Sequence, residues 1–477
     1  EQQPARPFLA GTSIAGGLRG YLLAYEQGFG FAEAIRRKAD SLPTTAAELL
    51  FGGVKGDEYG EQSPLIVDDA YGDLHGAPFE IRDGVKIDYR TRTADDKKKY
   101  DLELLPAGTT FDLSFELLLS ADTAEPLRGA LALALGGFSA PDSETPAAIT
   151  LGARRSRGFG RCRVDNWTLR EYDLHTPADL LAWVALDHTD WHDQPAVRSG
   201  EAPVVLPPNV ASNVGKDRRR RFVVTACFAL EGGMLIRSPD PLTDTGDQQP
   251  DAVHLRSRRN GEAKPILPGT SLSGALRARA TRILNTLLHG QPKAEQRAEA
   301  FIDCMFGQDM HRDNVRQKDL KPTASRLVVE EREIDKEQRG AWLVQNRVSI
   351  DRFTGGAYDT ALFAEAPYVG GDVAVSLVLQ QPYLQADDAK QEQQQQAQAG
   401  LLLLLLKDLW TGDLPLGGTS SIGRGRLRGI SATIQSETGD TWELRSPTDN
   451  PTTVAIHTES KHGLDDYVAA LQKEFQL

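Results

Sequence analysis

The residues best placed for chemistry are hydroxyls and arginines grouped on glycines, a set that suits phosphate. Pro265 to Leu284 reads PILPGTSLSGALRARATRIL, and Pro7 to Glu26 reads PFLAGTSIAGGLRGYLLAYE. In each, a Gly-Thr-Ser turn (Gly11-Thr12-Ser13, Gly269-Thr270-Ser271) leads into apolar residues spaced three and four apart, the pattern of a helix. A helix N-terminus offers unpaired backbone N–H groups, so it can take a phosphate. Thr12, Ser13, Thr270 and Ser271 would add hydroxyls there, and Arg19 and Arg277 would add charge. An ordinary helix with Thr270 and Ser271 as caps fits the same run. A second set lies on glycine loops. Arg154, Arg155, Arg157, Arg161 and Arg163 fall within ten residues, and Thr419, Ser420, Arg424, Arg426 and Arg428 stand in the matching place. Guanidiniums carried this way can follow a phosphate backbone.

Other constellations are weaker. His188 and His192, in DHTDWHD, have a metal-ligand spacing but read as a solvated loop. The glycine loops lack the GxxxxGK[ST] pattern and its lysine, which excludes a P-loop NTPase. Cys162, Cys227 and Cys304 have no paired spacing, so neither a disulfide framework nor a zinc knuckle is expected.

The two runs belong to a larger repeat. Gly269 follows Gly11 by 258 residues, Met305-Phe306-Gly307 follows Leu50-Phe51-Gly52 by 255, and Val348-Ser349-Ile350-Asp351 follows Val85-Lys86-Ile87-Asp88 by 263. Leu416-Gly417 through Gly425-Arg426 follows Leu151-Gly152 through Gly160-Arg161 by 265. Four landmarks in one order at nearly one spacing mark a tandem duplication, each copy the size of a domain.

With 477 residues the chain can hold two or three cores. Its 40% apolar and 25% charged residues are those of a globular protein. A net charge of −13 argues against general nucleic-acid stickiness, but clustered arginines still allow a local groove for one strand. Leu401 to Leu406 is too short to span a bilayer and no signal peptide is evident, so a cytoplasmic protein without a membrane partner is expected.

The elements that must position these residues follow in order. Phe31 to Ser41 and Thr45 to Phe51 read as helical pieces, Pro64 to Val67 as a strand, and Ala70 to Gly84 as loop. Val85 to Arg90 is expected to enter a charged hairpin, Thr91 to Lys99, before Tyr100 to Leu105. Phe111 to Leu119 reads as a strand, Glu125 to Leu135 as a helix, and Cys162 to Leu169 as the strand after the first glycine loop. Glu201 to Lys216 has the composition of a linker. Arg218 to Arg221 leads into a strand at Phe222 to Leu230, and Glu231 to Lys264 reads as a polar loop with Asp240, Asp244, Asp247 and Asp251. After the second Gly-Thr-Ser helix come Lys293 to Phe306, strands at Arg326 to Val329, Val348 to Asp351 and Val373 to Gln380, and a Gly-rich hairpin tip at Arg352 to Tyr358. Asp387 to Ala399 is Gln-rich, a flexible loop or a solvated helix start. Leu401 to Trp410 is a buried helix, Leu427 to Ile434 a strand, and Leu464 to Phe475 a docking amphipathic tail. The fold class expected is α+β, an antiparallel sheet with helices on one face in two ferredoxin-like or RRM-like modules with inserted loops and thumb-like hairpins. The expected boundaries are 1–200, a linker at 201–217, and 218–477, with the first strand missing from copy one.

This combination resembles the RAMP superfamily of CRISPR-associated proteins. The residues that carry the likeness are Leu267-Pro268-Gly269-Thr270-Ser271-Leu272-Ser273-Gly274 with Leu276-Arg277, and Leu416-Gly417-Gly418-Thr419-Ser420-Ser421-Ile422-Gly423-Arg424-Gly425-Arg426. Leu151 to Arg161 supplies the loop in copy one, and the likeness covers nearly the whole chain. Copy two is most similar to the crRNA-binding backbone subunits of type III effector complexes, whose pattern is a strand, a loop with an acidic residue, then the helix. Asp251 in Pro250-Asp251-Ala252-Val253 stands 18 residues before Gly269 and matches that acid.

The resemblance implies a crRNA-binding subunit of a ribonucleoprotein complex in antiviral defence. Its partners would be crRNA, target RNA, a large polymerase-like subunit, further RAMP subunits and a small subunit. It also implies that Asp251 serves metal-dependent cleavage of target RNA, as a ligand of Mg²⁺ or another divalent cation or by polarising the attacking 2′-OH, with Asp247 and Asp244 behind it. The hairpins Thr91 to Lys99 and Phe353 to Tyr358 sit where the family's thumbs wedge into the guide–target duplex. A non-catalytic crRNA-binding scaffold and a pre-crRNA processing endoribonuclease are the alternatives.

Overall fold

In a computed structural model the protein is described at residues 6–31, 45–54, 56–58, 60–138, 149–164, 167–185, 217–238, 250–259, 261–309, 323–334, 339–382, 388–447 and 454–476. Most of the expected helix at 31–41, the linker at 201–216, His188, His192, Asp240, Asp244 and Asp247 lie outside them. Contacts gather the chain into two compact units. The first holds Glu1–Asp73, Thr110–Ala153 and Gly160–Arg219, and the second holds Leu74–Thr109, Arg154–Phe159 and Arg220–Leu477. A hairpin and a loop of copy one are thus built into the body of copy two.

The first unit packs α1 (Gly11–Gln27), α2 (Ala46–Phe51) and α3 (Ala124–Gly136) around Ile14, Leu18, Leu22, Leu50, Leu127 and Leu133. The four-residue steps from Ile14 to Leu18 to Leu22 place those side chains on one helical stripe. Strands β1 (Leu65–Val67) and β2 (Phe115–Leu117) pair antiparallel, Leu65 opposite Leu117. Phe111 to Leu119 is therefore not one strand. Thr110–Phe111 pairs instead with Ala70–Asp73, a segment expected to be loop. The strand expected at 162–169 does not form among the described residues, and only the bridge between Thr150 and Arg161 closes the loop there.

In the second unit the central antiparallel sheet has the order β4 (Leu327–Val329), β5 (Asp372–Gln381), β3 (Arg220–Glu231), β6 (Arg426–Gln435), β7 (Thr441–Arg445), β8 (Ala455–Thr458). With α4 (Gly269–Leu287) after β3 and α6 (Ala389–Trp410) after β5, the first four strands of that order have the βαββαβ connectivity of a ferredoxin-like fold, extended at one edge by β7 and β8. Strand β3 shows why it sits centrally. Phe222, Val224, Ala226, Phe228 and Leu230 alternate into the core beneath the helices. Leu327 pairs with Leu379, so both partners lie 262 residues beyond Leu65 and Leu117. The duplication is therefore preserved to the residue in strand register.

The Gln-rich stretch is a helix start and not a flexible loop, solvated at Asp388, Ala389, Lys390 and Glu392 but buried further along. It forms the first half of α6, with Gln395 and Gln398 buried; Gln395 donates to the Pro382 carbonyl (3.0 Å) and Gln398 accepts from Arg326 (2.8 Å). Leu401, Leu402, Leu405 and Leu409 complete the buried face, each worth about 1.5–3 kcal/mol when removed from water. The tail helix α7 (Leu464–Phe475) docks on α6 through Tyr467, Leu471 and Phe475. The long loop expected at 231–264 contains the strands Ala252–His254, Arg256–Arg259 and Glu262–Leu267. No described helix is long and apolar enough to cross a membrane.

Candidate nucleic-acid interface

The two glycine loops have the same backbone. Arg154 (φ 55°, ψ 31°) and Thr419 (φ 58°, ψ 30°) are left-handed, and each opens a single 3₁₀ turn closed by a glycine at φ 89°, ψ 6° (Gly158 and Gly423). The Leu151 N–H donates to the Gly160 carbonyl and the Leu416 N–H to the Gly425 carbonyl, both at 2.8 Å. A Cβ on Gly160 or Gly425 would lie 1.7 or 1.8 Å from that leucine's carbonyl oxygen, so each loop closes only over glycine.

The loops differ in what they touch. In the second unit, Arg157 inserts among neutral oxygens: Nη1 donates to Ser325 Oγ (3.1 Å) and the Leu327 carbonyl (3.2 Å), and Nη2 to the Phe306 carbonyl (3.2 Å). Burial first, then the charges of Arg277 and Arg154, push its pKa down to about 10. A Cβ on Gly158 would stand 2.3 Å from the Glu331 nitrogen, and one on Gly269 would stand 2.3 Å from the Arg157 carbonyl oxygen. The first loop is therefore seated against the start of α4. The equivalent of Arg157 in the second loop is Ile422, which is 53% exposed, and a Cβ on Gly423 would meet nothing within 4 Å.

The Gly-Thr-Ser helices are capped differently from expectation. Ala10 and Pro268 are the N-cap residues and neither helix has a side-chain cap, so Thr270 and Ser271 lie in the first turn of α4. Gly11 and Gly269 are required for a different reason: a Cβ on either would come within 2.3 Å of the carbonyl of Val67 or Val329 on the adjacent strand. The Gly11 N–H donates to Asp69 Oδ1 (2.7 Å), so a carboxylate already takes one of the amides proposed for phosphate. Thr12 and Ser13 are exposed; Thr270 and Ser271 are half-buried. Arg19 donates to the Gly52 carbonyl (3.3 Å), and Arg277 to the Gly307 carbonyl (2.7 Å) and Asp303 (2.7 Å). Both matching arginines thus hold the glycine that ends the next helix, α2 or α5 (Ala294–Phe306).

Of the remaining loop cations, Arg154 lies over the Tyr100 ring, 4.7 Å from its centroid, and donates to its hydroxyl (3.0 Å). Arg155, Arg161 and Arg426 are exposed, whereas Ser420 is half-buried. Arg424 is buried, donating to Glu365 Oε2 (2.7 Å), Gln345 Oε1 (2.6 Å) and Thr419 Oγ1 (3.2 Å). Burial works to raise the Glu365 pKa, but hydrogen bonds from Arg424 and Arg347 overcome it and hold the carboxyl below its ordinary value. Arg424, Glu365, Gln345 and Arg347 together brace the base of the second hairpin, Gln345–Ile350 with Ala357–Ala366. At its tip Phe353 is 99% exposed.

Asp251 is exposed at the foot of that hairpin. Its Oδ2 accepts the Ala364 N–H (2.7 Å), and the following strand runs parallel to the hairpin, Ala252 opposite Glu365. His254, the last residue of that short strand, is fully buried. Its Nδ1 accepts the Ile236 N–H (3.1 Å), which leaves Nε2–H to donate to the Ile266 carbonyl (3.1 Å). Burial drives its pKa down to about 4, so the neutral ring pins the strand that follows Asp251. Among the described residues no group of three or more His, Cys, Asp or Glu is arranged to hold a metal ion.

Sequence reasoning missed one set. Glu80 accepts from Ser257 Oγ (2.9 Å) and the Arg258 N–H (2.7 Å), Arg82 pairs with Glu80 (2.9 Å) and Glu331, and Arg259 also pairs with Glu331. This buried network fastens the first hairpin (Glu80–Ile87 with Ala94–Leu104) to the body of the second unit. Nothing local in the sequence distinguishes Glu80 or Glu331 among 67 acidic residues.

The sequence model of the RAMP superfamily matches residues 2–163 and 231–428, one match for each copy. No curated protein matches the chain. The paired strand register, the twofold glycine loop and the twofold match agree: the chain belongs to the RAMP superfamily, as a tandem of two modules with a CRISPR-associated RNA-binding role.

Proposed function

We propose that one chain forms two successive positions of the protein backbone that holds a crRNA in a type III CRISPR effector complex, and that its second module cleaves guide-bound target RNA. The observation that carries the backbone role is the contrast between the loops. The first is seated on the Gly-Thr-Ser helix α4, while the second has the same dihedrals with Ile422 and Gly423 open. A surface that fits the next repeat of its own chain, and recurs unfilled, makes a head-to-tail contact that propagates. Its occupant would be the Gly-Thr-Ser helix of a further RAMP subunit. The large polymerase-like subunit and the small subunit belong to the same reading. RNA would lie along the exposed Thr12, Ser13, Arg155, Arg161 and Arg426, with Phe353 at a thumb tip.

For cleavage the candidate is Asp251. A single carboxylate is no metal cage, but Mg²⁺ commonly keeps its waters and takes one or two carboxylates plus substrate phosphates, so Asp251 fits as the protein's ligand. When bound, the cation would neutralise charge developing on the cleaved phosphate. The Ala364 N–H fixes one oxygen of Asp251 and leaves the carboxylate oriented to hold the cation or to accept a hydrogen bond from a 2′-OH. That same bond favours a second reading, in which Asp251 only anchors the hairpin and the chain is a scaffold. Target-RNA cleavage by the assembled complex with Mg²⁺, unaltered against Asp251→Ala, separates the two. Loss of one cut with RNA binding intact supports the nuclease; persistence of every cut leaves the scaffold.

A further inference from the structure

Away from these loops, the turn of the first hairpin and the last turns of α4 flank an open cleft of about 690 Å³. Arg282, Asn285, Thr286 and His289 recur at steps of three, four and seven and so line it from one helical face. Tyr89 and Arg92 line it from the turn, where Arg92 is left-handed (φ 60°) and exposed. The other cations are answered: Arg90, which also lines the cleft, by Glu295 (3.2 Å) and the Tyr89 hydroxyl (2.9 Å), and Arg279 by Asp408 (2.6 Å). Among the described residues Arg92 and Arg282 have no carboxylate partner. They are close enough that, after burial, the charge of Arg92 is the next cause depressing the Arg282 pKa, ahead of Arg279. Two guanidiniums facing one cleft without an anion repel, and an anion between them would turn that repulsion into attraction.

We propose that this cleft binds a nucleotide, its phosphate between Arg92 and Arg282 and its base beside the Tyr89 ring. The volume is that of a small-molecule site rather than of a lone ion. Tyr89 offers a ring beside it for a base. The carbonyl end of α4 disfavours an anion, a deficit smaller than two charge-assisted hydrogen bonds return. The nucleotide is either a unit of a bound RNA strand or a free mononucleotide. The first source rests on the RNA-binding reading; the second does not.

The test uses the full chain, with Arg92→Gln, Arg282→Gln and the double variant, in two titrations: a labelled single-stranded RNA across a salt series, and AMP by calorimetry. Arg92 is exposed, so its variant keeps the fold even if the Arg282 variant does not. For a strand nucleotide, the double variant binds RNA about tenfold or more weakly, its salt slope falls by about one for each phosphate no longer neutralised, and AMP does not bind. For a free nucleotide, AMP binds the unaltered chain and not the variants. Equal binding of RNA and AMP by the folded variants and the unaltered chain overturns the site. An unaltered chain that binds AMP but no RNA leaves the site standing and removes the RNA-binding reading; one that binds neither removes both.

Discussion

Arg157 and Arg277 divide the end of one helix between them: Arg157 takes the main-chain oxygen of Phe306 at 3.2 Å and Arg277 that of Gly307 at 2.7 Å. Cations at a helix C-terminus satisfy carbonyls that have no partner within the helix. One guanidinium comes from each copy of the repeat, so the pair ties a copy-one loop to a copy-two helix inside the second unit.

The first prediction concerns Arg157. Replacing it by Ala leaves the oxygens of Phe306 and Leu327 without that donor, and each hydrogen bond to a charged group is worth about 1.5–3 kcal/mol. The second unit of Arg157→Ala should lose about 2–4 kcal/mol in urea unfolding. A loss below about 0.5 kcal/mol, the range of an ordinary surface substitution, would show that the loop is not seated as described.

The second concerns pH. The folded His254 ring resists a proton down to pH about 4, whereas an unfolded imidazole takes one near 6.5. The unfolded state therefore binds more protons between those values, and stability falls as pH drops from 6.5 towards 4 and is flat above. The total is about 3 kcal/mol at about 1.4 kcal/mol per unit. Urea midpoints from pH 4 to 8 should slope less in His254→Gln than in the unaltered chain; identical slopes would assign the acid sensitivity elsewhere.

Much of the fold was legible because apolar periodicity and the duplicated landmarks report local geometry. The α4, β3, β5 and β6 segments and the α+β class follow from alternation and helical spacing alone. The functional meaning of repeated residues was harder to see. Arg19 and Arg277 each donate to the glycine that ends the next helix, Gly52 or Gly307, a contact the sequence does not separate from phosphate binding. Gln395 and Gln398 are polar by type, but Gln395 Nε2 and Gln398 Oε1 find partners only once Pro382 and Arg326 are brought to them. The grouping of residues 74–109 with the second unit rests on Glu80 and Arg82, which are far in the chain from Glu331 and unmarked until the strands pair.

The third prediction tests the open loop. Ile422→Glu places a charge on a side chain already exposed, so thermal unfolding of the isolated chain should be unchanged. Association with the neighbouring RAMP subunit should weaken by about tenfold or more, about 1.4 kcal/mol, in a pull-down or sedimentation titration. Unaltered association would mean that the second loop faces no subunit.

The central claim is that one chain supplies two RNA-binding modules to a single guide. Protein–RNA crosslinks of the unaltered chain in its assembled complex, mapped to the nucleotide, test it most directly. The account predicts two separate clusters of crRNA crosslinks, one to peptides carrying α1 and one to peptides carrying α4 or the first glycine loop seated on it, spaced by one repeat along the guide. A single cluster confined to one module, with the other crosslinking only to protein, would contradict it.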